Sequence, residues 1–211
     1  MLLEKLPQGF LPILDENHAL GRTSFEIIEA LLEVDISTFI LRNKNKNVEE
    51  YQQYIKEISS IQDSMDFNFI IHHHAELAKD SNCLGVHLTA NSMPITEARK
   101  LLGNKKLIGY SAHSIDEVVE AEQQGANYVI LGAIHPTPKP GPHPVLGIEK
   151  LIIACKLGIP VYAVGGINAT NIHIIKQSGA RGFCALRSIY DGDLEHNIMK
   201  MNLLWDGRGV H

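Results

Sequence analysis

Eight short apolar or β-branched runs alternate with helix-length patterns along this chain, and that alternation restricts the fold more than any other feature. Phe10–Leu14, Thr38–Leu41, Phe67–Ile71, Leu84–Leu88, Leu107–Tyr110, Tyr128–Leu131, Val161–Val164 and Gly182–Leu186 read as strands. Helices are expected near 24–33, 47–62, 74–80, 94–102, 115–124, 147–157, 168–178 and 193–204. Ser114 with Asp116 and Glu117 supplies a cap and first-turn acids, and Asn168 or Thr170 can cap the seventh helix. Gly125 and Gly179 follow helical patterns where a left-handed terminator is expected. Strand–helix alternation at this spacing implies parallel pairing with right-handed crossovers. Eight units at about 26 residues each fit a (β/α)8 TIM barrel, expected as a single α/β domain over residues 1–211. A doubly wound open sheet normally carries a glycine-rich phosphate loop after its first strand, and residues 15–22 lack one.

Composition removes several function classes. The net charge is −5 with scattered cations, which argues against nucleic acid as a partner. Three distant cysteines, Cys83, Cys155 and Cys184, form no C-x-x-C pair and point to a reducing compartment. The start, MLLEKLPQGF, lacks the apolar core of a signal peptide, and no apolar run approaches the roughly 20 residues of a membrane span. A cytoplasmic location with no membrane partner is therefore expected. Oligomeric state stays open, a homo-oligomer included.

In a barrel, chemistry sits where strands end. The seventh strand runs into Gly165-Gly166-Ile167 and the eighth into Arg187-Ser188. Consecutive loops of this kind suit a phosphate, through backbone N–H groups, a helix start and an arginine fork. Arg42-Asn43-Lys44 ends the second strand and can clamp another anion, or form a solvated surface. Seven of the eleven histidines (His72, His73, His74, His87, His113, His135 and His143) fall at or just after the ends of strands three to six. His113, just beyond the fifth strand, is the best-placed general acid/base. Neither H-E-x-x-H nor an H-x-H after the first strand is present, so a metal centre is not expected. The run 136–144 alternates proline with other residues, which stiffens it and presents Lys139 and His143, or merely spaces two elements.

Together these segments resemble the thiamine phosphate synthase/TenI family over nearly the whole chain. The likeness is carried by Gly85-Val86-His87-Leu88, by Ile108 through Ser114, by Gly125 through Tyr128 with Gly132, Pro136 and Thr137, by Ala163 through Asn168, and by Gly179 through Gly182. The resemblance implies one of two reactions. A synthase joins a pyrimidine diphosphate to a thiazole phosphate with magnesium and releases pyrophosphate. The TenI-like branch moves a proton on the thiazole phosphate without metal, and its proposed acid/base matches His113. Both bind the thiazole phosphate at the positions of Gly165, Gly166, Arg187 and Ser188, although Arg187 itself is foreign to both branches.

Synthases place magnesium-binding aspartates after the third and fourth strands, where this chain has His72-His73 and Thr89-Ala90-Asn91-Ser92. The cations Arg42, Lys44 and Lys139 survive, and His72, His73 and His87 join them as expected substrate contacts. Because a hard divalent ion prefers oxygen ligands, the expectation is a thiazole tautomerase acting on a small phosphorylated heterocycle, with no metal and no cofactor. The alternatives are a thiamine phosphate synthase with an atypical diphosphate site, using magnesium, and a non-catalytic barrel that senses a thiamine precursor. Residues 205–211 receive no functional reading.

Overall fold

The computed structural model describes residues 2–137 and 144–208. Its strands are β1 (Gly9–Phe10), β2 (Ile13–Leu14), β3 (Thr38–Leu41), β4 (Asn68–His72), β5 (Gly85–Leu88), β6 (Leu107–Ala112), β7 (Tyr128–Gly132), β8 (Val161–Val164) and β9 (Gly182–Phe183). All pair in parallel as one curled sheet in the order β1-β9-β8-β7-β6-β5-β4-β3-β2. The helices are α1 (Ser24–Leu32), α2 (Val48–Ile61), α3 (Ala75–Lys79), α4 (Ile95–Leu102), α5 (Ile115–Gln123), α6 (Gly147–Ala154), α7 (Ile172–Gln177), α8 (Arg187–Tyr190) and α9 (Leu194–Asp206).

The expected first strand is divided. Its first half registers with β9 and its second with β3; Pro12, with no N–H to offer a ladder, interrupts it between them, while Ile13 N–H still donates to Ala185 O at 3.2 Å on the β9 side. Leu11 N–H still donates to Phe183 O at 2.9 Å, and Pro12 O accepts from Ile40 N–H at 2.9 Å. Residues 9–14 are thus bonded on both sides.

Two apolar layers follow from the period-two alternation of strands. Phe39, Leu41, Phe69 and Ile71 face outward and pack under the helices. Ile40, Ile70, Tyr128, Ile130, Tyr162 and Cys184 face inward and form a second cluster on the concave side. Each such side chain stabilises the fold by about 1.5–3 kcal/mol. Gly109 makes room for the largest of them: a Cβ there would lie 2.1 Å from Tyr128 Cζ.

Several caps agree with the sequence. Ser114 accepts from Glu117 N–H at 3.1 Å, and Gly125 and Gly179 take φ of 96° and 86°. Helix α7 differs from expectation: it starts at Ile172, because Asn168 spends its side chain on Thr170 N–H (2.9 Å) in a preceding turn. The eighth strand stops at Phe183, and the one-turn α8 precedes α9. No described helix is long and apolar enough to cross a membrane.

Candidate active site

The carboxyl ends of the strands open into a cavity of about 1630 Å³. Arg42, Lys44, His72, His73, His87, His113, Gly165, Gly166, Arg187 and Ser188 all line it. Lys139 and His143, and most of the proline-rich run, lie outside the described residues.

After β8, the chain turns on Gly165 (φ 94°) and Gly166 (φ 64°), a region costly for residues with a Cβ. Space forbids side chains too. A Cβ on Gly165 would lie 2.5 Å from Ala133 Cβ, and one on Gly166 would lie 2.5 Å from Pro136 O. The two carbonyls are used inside the loop, by His135 N–H at 3.0 Å and by Asn171 Nδ2 at 2.8 Å. The loop therefore keeps its backbone fixed against the strand-7 connection. Arg187 stands exposed at the rim, with Ser188 beside it.

After β3 the wall is cationic. Arg42 donates to the carboxylate of Asp15, which is buried at 1% exposure and also accepts from Asn17 N–H (3.1 Å) and Nδ2 (2.8 Å). Lys46 pairs with Glu16 at 3.3 Å, and His74 Nδ1 approaches Glu76 at 2.9 Å. Asp15, Glu16 and Glu76 are not part of the cavity wall, whereas Arg42, Lys44, Lys46 and His74 are. The carboxylates sit behind the cations and hold them.

The histidines divide by environment. His87, on β5, has Tyr128 hydroxyl 3.2 Å from Nδ1 and Ser111 Oγ 2.9 Å from Nε2. Complete burial pushes its pKa down to about 3, so it is neutral near pH 7. A neutral imidazole has one N–H and one lone pair, and both are taken. His87 thus orients Ser111 into the cavity. His72 is also held well below its ordinary value, first by burial and then by His87 and Arg42. His73 is lowered by burial and then by His74. Its Nδ1 lies 2.7 Å from Ser92 Oγ, and Ser92 Oγ accepts from Thr89 N–H at 2.9 Å. His113 follows β6: its N–H donates to Glu117 Oε2 (2.9 Å), and its Nδ1–H donates to Gly132 O (2.7 Å). His135 is not part of the wall.

Four contributors escaped the sequence reading: Asp15, Lys46, Ser111 and Tyr128. Register carried the signal for the first, because Leu14 pairs with Leu41 and so sets Asp15 beside Arg42. Period two relates Ser111 to His113, but Tyr128 reads simply as core.

The residues present do not fit magnesium. The positions matching the magnesium aspartates carry an imidazole and a hydroxyl bonded to each other. Among the described residues, no three His, Cys, Asp or Glu side chains converge to hold a metal ion.

A curled parallel sheet with helices outside and an anion-suited cavity at its carboxyl edge defines an α/β protein of the TIM-like class. Within that class the chain belongs to the thiamine monophosphate synthase (TMP-TENI) family, which matches residues 10–189. Thiamine-phosphate synthase of Caldicellulosiruptor bescii is 34% identical over 180 residues, 84% of this chain and 82% of that one. The enzyme of the same name from Caldanaerobacter subterraneus is 30% identical over 191 residues, 90% and 89% of the two chains. Thiamine phosphate pyrophosphorylase from Pyrococcus furiosus superposes with a TM-score of 0.84 over 97% of this chain and 98% of its own, at 24% identity, a likeness of fold.

These relatives overturn the expected tautomerase and, with it, the isomerase class: the matches at 30–34% identity carry the synthase name. The expectation gave the missing metal ligands more weight than the likeness of the rest of the chain. Arg42 and Lys44 remain on the same wall, and a histidine at position 113 is compatible with either reaction.

Proposed function

We propose that this protein is a thiamine-phosphate synthase with an altered diphosphate site, joining a pyrimidine diphosphate to a thiazole phosphate. One observation carries the reading beyond the relatives' names: two separate anion-suited groups line a single cavity. Gly165, Gly166, Arg187 and Ser188 suit a phosphate monoester through backbone donors and a guanidinium. Arg42, Lys44 and Lys46 suit a diphosphate. A one-substrate proton transfer would need only the first group.

In the transfer, the acceptor ring forms a bond to the carbon that bears the diphosphate. The C–O bond breaks, and its electron pair departs with pyrophosphate. The chain's own contribution is to bring two anions together and to stabilise the departing charge with the cations of the wall. His113, fixed through Gly132 O, and Ser111, fixed through His87, are placed to hydrogen-bond the reacting rings. We also infer that the sheet closes as a (β/α)8 barrel, since residues 9–14 bond to β9 on one side and β3 on the other.

The test is product formation from both substrates, followed by chromatography alongside pyrophosphate release, with and without magnesium. Stoichiometric product and pyrophosphate are expected. Tight binding of both ligands with no product under either condition would leave a sensor, the non-catalytic alternative.

A further inference from the structure

We propose that this chain holds its diphosphate without a divalent metal ion, meeting the charge with Arg42, Lys44 and Lys46 and with hydrogen bonds from the His73–Ser92 pair. The proposal rests on the synthase reading for the identity of the ligand.

The argument begins with what occupies the metal's place. His73 has φ 78°, a conformation in which Asn, Asp and His are the commonest residues with a Cβ. Its backbone N–H is tied to His87 O at 2.8 Å, and its ring reaches Ser92 Oγ at 2.7 Å. Ser92 is fixed in turn by Thr89, through its N–H at 2.9 Å and its hydroxyl at 3.1 Å. Magnesium needs several hard oxygens in octahedral array, commonly one or two carboxylates among them. Here the two side chains satisfy each other, and neither carries negative charge.

The nearby carboxylates are already engaged. Asp15 is held by Arg42, Glu16 by Lys46 and Glu76 by His74, all behind the wall. Of the wall's own acids, Glu117 accepts from His113 N–H, and Asp191 lies on the far loop after α8. Among the described residues, no pair of acids is left to cradle an ion beside β4 and β5.

The cations do line the wall. Arg42 is preorganised by a buried carboxylate, so its planar fork is fixed before a ligand arrives. Lys44 stands exposed on the same wall, and Lys46 lies partly buried two residues on. Lys44 brings a charge with no carboxylate against it, and Arg42 and Lys46, though paired from behind with Asp15 and Glu16, turn their remaining N–H donors to the cavity, so the wall can draw a diphosphate and stabilise it as it leaves.

The experiment is calorimetric titration of the full chain with inorganic pyrophosphate, once in EDTA and once in excess magnesium. Expected is binding in EDTA, with affinity within about twofold of the magnesium value after allowing for the magnesium–pyrophosphate complex. A Lys44→Ala, Lys46→Ala double variant, confirmed folded by circular dichroism, should bind about tenfold more weakly in EDTA. Binding that appears only with magnesium would overturn the proposal, as would undiminished affinity in the double variant. Product that forms only with magnesium would sink the metal-free site and leave the synthase reading intact. Pyrophosphate bound in EDTA with no product under any condition would do the reverse.

Discussion

The two anion-suited regions of this cavity are built on opposite principles. After β8 the surface is backbone: Gly165 and Gly166 adopt positive φ, and a Cβ at either would collide with residues 133–136. After β3, β4 and β5 the surface is side chains: Arg42, Lys44, Lys46 and three consecutive histidines. A backbone site cannot change without moving the fold, whereas a side-chain site can exchange carboxylate for imidazole on an unaltered strand. The difference shows where the chemistry of such a protein is free to drift.

Breaking the side-chain region at its anchor should have the largest effect. Arg42→Ala leaves the buried Asp15 carboxylate without its guanidinium and should destabilise the fold by about 3–5 kcal/mol. Urea unfolding measures it, and a loss below about 1 kcal/mol would mean that Asn17, with His18 Nδ1 at 3.6 Å, satisfies Asp15 without the arginine. Breaking the backbone region comes next. Gly166→Ala meets Pro136 O at 2.5 Å and an unfavourable φ, which should cost about 2–3 kcal/mol. Thermal unfolding should shift down by about 4–10 °C. Unchanged melting would show that the loop yields and that the contrast is weaker than its geometry implies.

Acid sharpens the comparison, because only the side-chain region titrates. His87 is neutral in the fold, with its pKa pushed down to about 3 by burial, against 6.5 ordinarily. The unfolded chain therefore binds the extra proton. Stability from this group is complete above about 6.5 and falls as pH drops towards 3, by up to about 1.4 kcal/mol per pH unit. His72, in ring contact with His87 (centroids 6.1 Å apart), acts in the same direction. His87→Gln should flatten the denaturation profile between pH 6.5 and 5, and a profile as steep as the parent's would place the titration elsewhere. The smallest effect is expected from Arg187→Ala. Its exposure at the rim limits the loss to about 1 kcal/mol in affinity for a phosphate monoester, with unfolding unmoved. Phosphate-ester titration checks it, and no loss would leave the loop's backbone donors sufficient.

Most of the fold was legible because each element states its own period. Thr38–Leu41 and Val161–Val164 emerge with the bounds read from the sequence, and Ser114 caps α5 as its spacing implied. The failures were local competitions. Asn168 prefers a turn to a cap, and Pro12, lacking an N–H, interrupts the ladder of a strand that reads as continuous. The site was legible as a set of residues, since strand ends converge in such a topology. Its partnerships were not. That Asp15 backs Arg42, or that Tyr128 and Ser111 hold His87 from two sides, depends on neighbours far apart in sequence. The family resemblance was read correctly, and the choice of branch was not, because the two replaced aspartate positions, His73 and Ser92, were given more weight than the likeness of the rest of the chain to synthases.

The divided first strand bears on how the chain acquires its shape as it is made. Residues 13–14 find β3 within about 30 residues of chain, but residues 9–10 wait for Gly182 and Phe183, about 170 residues further on. Helix α9 comes later still. Its Trp205 lies against Gly9, where a Cβ would come within 2.7 Å of the indole, and packs tilted against Phe183 with ring centroids 5.5 Å apart. Lys176 donates to the Trp205 carbonyl from α7. A nascent chain on the ribosome therefore carries an unfinished edge until Trp205 emerges, and the tryptophan acts as the latch that commits the first strand to β9.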